Sequence, residues 1–157
     1  MNEPLPQLNE RAWSLIKSGR HDQALHLLTG PVSDIQNQEP KPRGYADMLS
    51  MFGFTMCMVQ RKRKDAVDLC RQAVDLDRLN PRLYFLLGRV YLEASSRKLA
   101  YETFQSGLRV DPSYRPLVQA LVGMGVRKRP VVGFLHRDNM INVGLGKIMH
   151  AIKPRKK

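Results

Sequence analysis

The sequence contains little cysteine and no long apolar run, and both shortages exclude classes of protein. Cys57 and Cys70 are the only cysteines in 157 residues, which is too few for a disulfide framework. We interpret both as small buried hydrophobic residues rather than as a redox pair. No stretch approaches the roughly 20 apolar residues that span a bilayer, and residues 1–4 do not begin a secretory leader. We therefore expect a cytoplasmic protein.

The sequence also lacks the residue patterns of metal centres and active sites. The four histidines show no metal-ligand spacing with one another or with the cysteines; they are His21, His26, His136 and His150. The segment 144–147 has neither the earlier glycine nor the Ser or Thr of a phosphate-binding loop. No nucleophile, base and orienting group can be assembled. We predict a protein that is not an enzyme and that uses no cofactor or metal.

Acidic residues are scarce near the C-terminus. Residues 1–114 have a net charge of +3, whereas residues 115–157 have a net charge of +9 with Asp138 as their only acid. The predicted basic patch consists of Arg127, Lys128, Arg129, Arg137, Lys147, Lys153, Arg155, Lys156 and Lys157. Such a patch is typical of phosphate contacts to nucleic acid or to an anionic membrane, and those contacts depend strongly on salt. A solubilising tail that folds over the preceding helices is the alternative.

Apolar residues, at 43% of the chain, are abundant and recur at helical spacing, while Gly and Pro fall mostly between the apolar stretches. This pattern predicts an all-α protein. One stretch has a more specific pattern, Tyr84-x-x-Leu87-Gly88-x-x-Tyr91, then Ala100-x-x-x-Phe104, then Pro112. It predicts two helices whose apolar faces meet, with Gly88 opposite Ala100 at the closest approach.

The spacing of this stretch resembles that of the tetratricopeptide-repeat (TPR) family. The resemblance extends over roughly residues 7–114, because Ala66 and Ala73 precede Ala100 and Gly107 by one repeat length, and Ala12, Gly19 and Ala24 suggest an earlier, less regular repeat. We predict three helical hairpins, formed by helices 8–18 and 21–29, 46–60 and 64–76, and 82–94 and 98–110. Residues 30–44 would form a polar connector.

The predicted architecture is therefore a TPR-type solenoid of about three hairpins, followed by a capping helix at 114–124 and a basic amphipathic tail. We assign residues 1–126 to the repeat domain and residues 127–157 to the tail. Apolar residues of the tail, such as Phe134, Ile141 and Ile148, predict either docking on the capping helix or insertion into a second copy of the chain, which would make a homodimer.

Membership of the TPR family would imply a concave groove that is lined by the first helix of each hairpin and binds a peptide or helix of another protein. The residues that the register places in this groove include Asn9, Trp13, Ile16, Met51, Phe54, Met58, Arg82, Phe85, Arg89 and Leu92. We expect Met51, Met58, Phe85 and Arg89 to be partly exposed, and Leu87 and Phe104 to be buried.

Several of these residues have a second interpretation. Trp13 is either an interface anchor or a structural cap of the first hairpin. The methionines of residues 48–58 form either plain core or, through Met51 and Met58, part of an adaptable groove. Arg82 and Arg89 either bind a partner's carboxylate or lie solvated at the surface.

The function that we predict is that of a cytoplasmic adaptor, which binds a protein segment in the groove. One alternative is an electrostatic docking protein that binds nucleic acid or anionic lipid through residues 127–157. Another is a chaperone of the kind that serves type III secretion translocators, which the three repeats also resemble. Salt separates the first two hypotheses, because polyphosphate binding falls by orders of magnitude between low and physiological salt.

Overall fold

The computed structural model describes residues 3–125, and all regular structure in that range is α-helical. The all-α prediction is confirmed. Seven helices follow one another: α1 (Leu5–Lys17), α2 (His21–Ile35), α3 (Tyr45–Gln60), α4 (Arg63–Leu76), α5 (Pro81–Glu93), α6 (Arg97–Val110) and α7 (Arg115–Gly123). No helix among the described residues has the length and apolar character that crossing a membrane requires.

The helices form three hairpins, in which α1 packs with α2, α3 with α4, and α5 with α6. Short turns join the two helices of each pair and make them antiparallel. Each turn contains one residue with a positive φ, namely Gly19 at 77°, Arg61 at 59° and Ser95 at 60°. A left-handed residue of this kind ends a helix by turning the chain away from its axis. The last helix, α7, packs on α5 and α6.

Helix α3 lies at the centre of the molecule and contacts α1, α2, α4 and α5. Ten of its sixteen residues are buried, and Asp47 is its only charged residue. Since α3 has apolar residues on nearly all sides, it requires neighbours on nearly all sides. Its methionines are core residues, apart from Met58, which is half-buried.

Helices α5 and α6 approach each other closely at Gly88, as expected, and the ring of Phe104 lies against this glycine. A Cβ atom built on Gly88 would overlap the Phe104 ring. Gly107 of α6 packs in the same way against Leu117 of α7 and Tyr84 of α5. That Gly88 faces Ala100 stays a prediction, while Leu87, Ala100 and Phe104 are all buried as expected.

Two helices are longer than the sequence pattern predicted. Helix α1 begins at Leu5, because prolines are tolerated in a first helical turn. Helix α2 continues to Ile35 with Pro31 inside it, whereas we expected it to end at residue 29. Proline removes one helical hydrogen bond, but Val32, 5% exposed, adds a buried side chain to the core. The connector is therefore shorter than predicted.

Both cysteines are buried, Cys57 in α3 and Cys70 in α4. Burial raises the pKa of the Cys57 thiol and raises the pKa of Cys70 to about 12. Buried neutral thiols of this kind are poor nucleophiles. The two residues serve as small apolar side chains in the α3–α4 pair.

The predicted tail and its basic patch, residues 127–157, lie outside the described residues. The assignments made there, including the nine basic residues and the docking of the tail, stay predictions. The domain boundary at residues 126–127 likewise stays a prediction.

We predict that Gly88→Ala destabilises the protein by about 1–3 kcal/mol, because the added methyl group would overlap the enclosed Phe104 ring. The matched control is Gly30→Ala in α2, where a Cβ meets nothing within 4 Å. That substitution should be neutral or stabilising by up to about 1 kcal/mol, since alanine favours helices. Urea unfolding measures both changes. Equal stability of the two variants would contradict the packing described for the third hairpin.

Candidate functional site

The first helices of the three hairpins present most of the predicted groove residues, but not all of them at the surface. Met58, Arg82, Phe85, Arg89 and Leu92 are half-buried, whereas Trp13, Met51 and Phe54 are buried, at 9%, 0% and 2% exposed. The expectation that Met51 is partly exposed is wrong, because it lies in α3, which α1, α2, α4 and α5 surround. Asn9 and Ile16 are also buried.

An aromatic contact joins the first hairpin to the third. The ring of Trp13 in α1 meets the ring of Phe85 in α5 edge to face, with 6.3 Å between the ring centroids. Edge-to-face pairs of this kind are favourable beyond their burial. Because α3 contacts both α1 and α5, the two rings meet across it. Trp13 is therefore a structural bridge between hairpins, and its indole is largely unavailable to a partner.

The guanidinium of Arg82 packs against the Trp13 ring of this aromatic contact. It lies 4.9 Å from the centroid of the Trp13 ring, and its nitrogens lie 3.7 Å from an oxygen of Asp47 and 3.7 Å from an oxygen of Glu10. Three elements thus meet at one cation: α1 through Trp13 and Glu10, α3 through Asp47, and α5 through Arg82 itself. The positive charge of Arg82 is balanced within the chain.

Asn80 connects the same cluster to the start of α5. Its side-chain oxygen accepts a hydrogen bond from the backbone N–H of Arg82, at 3.1 Å, and so caps the helix. Its Nδ2 donates to Oδ2 of Asp47, at 3.1 Å. Burial raises the pKa of Asp47, and the nearby Arg82 and the hydrogen bond from Asn80 oppose that rise. The carboxylate is thus desolvated and depends on these two partners.

Arg89, two turns further along α5, has different surroundings. Its guanidinium lies 5.7 Å from the centroid of the Phe54 ring and 5.9 Å from that of Phe85. Within the part of the chain that the structure describes, Arg89 forms no ion pair with a carboxylate, in contrast to Arg82. Aromatic faces orient the cation and leave its charge unbalanced.

A histidine shares this aromatic cluster. The His21 ring at the start of α2 meets Phe54 edge to face, at 5.5 Å, and its Nδ1 is buried without a hydrogen-bond partner among the described residues. Burial lowers the pKa of His21, the positive charge of Arg89 lowers it further, and Asp22 opposes both effects. The neutral imidazole is therefore the form that suits the folded state.

Beside Arg89, α5, α7 and the start of α6 line an open cleft of about 420 Å³. Its lining combines apolar groups with three long polar side chains: Phe85, Arg89, Leu92, Arg97, Pro116, Gln119, Ala120, Gly123 and Met124. Arg97 donates a hydrogen bond to the backbone oxygen of Met124, at 3.2 Å. We call this feature the α5–α7 cleft. It brings together three of the predicted groove residues, Phe85, Arg89 and Leu92.

The sequence pattern missed the contributions of Asp47, Glu10, His21 and Arg97. The first two pair with an arginine far along the chain, and no spacing rule predicts such a pair. Arg97 and the α7 residues enter the cleft only because α7 packs beside α5. A signal was available for Asn80 alone, since Asn before Pro at a helix start is typical of a cap. No group of acidic, histidine or cysteine side chains among residues 3–125 is suited to hold a metal ion.

Comparison with known sequences finds no family model and no curated protein that match the chain. Solved structures with the same fold are found. The first TPR of Spaghetti (RPAP3), bound to the HSP90 peptide SRMEEVD, matches with a TM-score of 0.56 and 16% identity, covering 77% of this chain and 90% of that one. MamA matches with a TM-score of 0.54 and 19% identity, covering 78% of this chain and 70% of that one. The described residues have a TPR-type fold, and the predicted fold is confirmed.

We predict that Asp47→Ala destabilises the protein by about 1–3 kcal/mol, because it leaves Arg82 and Asn80 without their partly buried carboxylate. Glu10→Ala removes the other carboxylate that Arg82 meets, but the Glu10 side chain is 71% exposed. The Glu10→Ala substitution should therefore lower the free energy of unfolding by less than about 0.5 kcal/mol. Urea unfolding of the two variants at neutral pH compares them. Similar losses would show that Asp47 does not hold the hairpins together.

We predict that His21 makes the protein less stable in mild acid. Its pKa is lowered on folding from 6.5, so the unfolded chain binds the proton more tightly and stability falls as the pH drops below that value. His21→Gln should reduce this loss. His26→Gln, on the exposed face of the same helix, should keep the wild-type pH dependence. Urea unfolding across this pH range measures the slopes, and identical slopes for all three proteins would refute the assignment.

Proposed function

We propose that this chain, whose fold is that of tetratricopeptide-repeat proteins, is a non-enzymatic adaptor that binds a peptide or helical segment of another protein. The observation that carries the proposal is the α5–α7 cleft, which continues the surface of the first helices. Half-buried Phe85 and Leu92 supply its apolar contact area, and Arg89 supplies a charge that no carboxylate of the described residues balances.

The binding surface that we propose is narrower than the full groove implied by the family resemblance. Trp13, Met51 and Phe54 are buried, and Arg82 is paired with Asp47 and Glu10. A partner would therefore contact the end of the first-helix surface formed by α5 and α7. The RPAP3 domain of the same fold holds a peptide of HSP90, which supports a protein segment as the general kind of partner.

The electrostatic docking hypothesis depends on residues 127–157, and the charge distribution of the sequence is its support. Salt distinguishes the two modes in the intact protein. Binding through the cleft, which is largely apolar, should weaken modestly with salt, whereas binding of polyphosphate through the tail should weaken by orders of magnitude.

The proposed function is tested by selecting random linear peptides on the full-length protein and measuring the affinity of the enriched peptides. Leu92→Ala should weaken binding by about tenfold, since it removes buried apolar area from the cleft. The matched control is Leu79→Ala, because Leu79 is 82% exposed and lies before α5, outside the cleft. It should leave the affinity unchanged.

Two results would overturn the proposal. One is the failure of the protein to enrich any peptide above the level of an unrelated basic protein of similar size. The other is an equal affinity of the Leu92→Ala and Leu79→Ala variants for the enriched peptides, with both variants folded. The second result would place binding elsewhere on the chain.

A further inference from the structure

We infer that the α5–α7 cleft selects an acidic segment of its partner, one that presents apolar side chains together with at least two side-chain carboxylates. This inference rests on the proposed function and specifies the partner's chemistry. It follows from the charges that line the cleft and from the pairing of the charges that surround it.

Among residues 3–125, the lining of the cleft contains two cations and no anion. Arg89 and Arg97 are its charged residues, Gln119 is its uncharged polar one, and the rest are apolar residues and glycine. A partner segment that carries Lys or Arg would bring like charges together in a partly desolvated place, which is unfavourable. A segment with carboxylates would meet guanidinium groups, which bind carboxylates with directed hydrogen bonds.

Four acidic residues of the described helices are paired with cations other than Arg89 and Arg97. Glu93, the last residue of α5, lies 3.6 Å from Arg61 in the turn after α3. Glu102 in α6 lies 4.0 Å from Lys98 on its own helix. Asp47 and Glu10 lie beside Arg82. The contrast between Arg82, which the fold neutralises, and Arg89, which it does not, indicates which arginine is available to a partner.

Arg89 is also held in place before a partner arrives. The rings of Phe54 and Phe85 lie within 6 Å of its guanidinium, and it lowers the pKa of the neighbouring His21. A cation that packing has already oriented loses less side-chain entropy on binding than a free surface arginine. This is the property expected of a recognition residue.

The second cation comes from a different element. Arg97 begins α6 and reaches the end of α7 at Met124, whereas Arg89 lies in the middle of α5. Two guanidinium groups on separate helices can pair with two anionic groups of the partner. The free C-terminus of a peptide supplies one. At least one of the partner's anions must therefore be a side chain, and we assign both to internal Asp or Glu residues, because apolar residues on either side of them can then fill the cleft.

The test uses random linear peptides selected on the full-length protein near physiological salt. The enriched peptides should contain more Asp and Glu than the library, together with Leu, Ile or Phe. Synthetic copies with an amidated C-terminus should retain their affinity, and replacement of their Asp and Glu by Asn and Gln should weaken binding by about tenfold or more.

A matched pair of protein variants separates the cleft from the general positive charge of the chain. Arg89→Gln with Arg97→Gln should weaken binding of the acidic peptides by about tenfold or more. Arg43→Gln with Arg109→Gln removes the same charge from exposed positions outside the cleft and should change the affinity by less than about twofold. Should the first pair fail to fold, Arg97→Gln alone against Arg109→Gln alone makes the same comparison.

Three results would overturn the inference: enriched peptides without an excess of acidic residues, equal losses in the two variant pairs, or loss of binding on C-terminal amidation. If such peptides still lose affinity with Leu92→Ala, the proposed adaptor function stands and only the acidic partner is refuted. If no peptide is enriched at all, the proposed function and this inference fall together.

Discussion

The structure depends on the burial of α3 between the first and the third hairpin. This helix has ten buried residues of sixteen, and no single partner helix could cover them. It therefore requires α1 and α2 on one side and α4 and α5 on the other. Because Asp47 is its only charged residue, α3 forms its ion pair at its first turn, with Arg82 of α5. Stacking of repeats is thus a consequence of one apolar helix in the middle.

The same arrangement divides the two arginines of α5 into different roles. Arg82 and Arg89 lie two turns apart on one face of the helix, and both contact aromatic rings. Arg82 also meets two carboxylates, one from α1 and one from α3, so its charge helps to hold the hairpins together. The guanidinium of Arg89 lies near the rings of Phe54 and Phe85, and its charge lowers the pKa of His21. Its unbalanced charge is the basis of the partner chemistry that we propose for the α5–α7 cleft.

Sequence patterns predicted the helices well where apolar periodicity was regular. The third hairpin shows this, since Leu87, Ala100 and Phe104 are buried as the spacing requires. The patterns failed where packing outweighed local preference. We expected α2 to end at residue 29, but the helix continues through Pro31 to Ile35 and buries Val32. Gly88 correctly marked a close approach of α5 and α6, but the spacing did not show that the Phe104 ring is what fills the space beside it.

The candidate site was predictable only in part for the same reason. The amino-acid sequence by itself determined the all-helical repeat fold. Helical phase also assigned Met51, Arg82, Phe85 and Arg89 to the predicted groove face of the first helices. Which of these side chains is covered, paired or open was decided by the tertiary structure. Exposure and charge balance depend on residues distant in the chain, such as Glu10 beside Arg82 and α7 beside α5, and such contacts exist only after the hairpins have stacked.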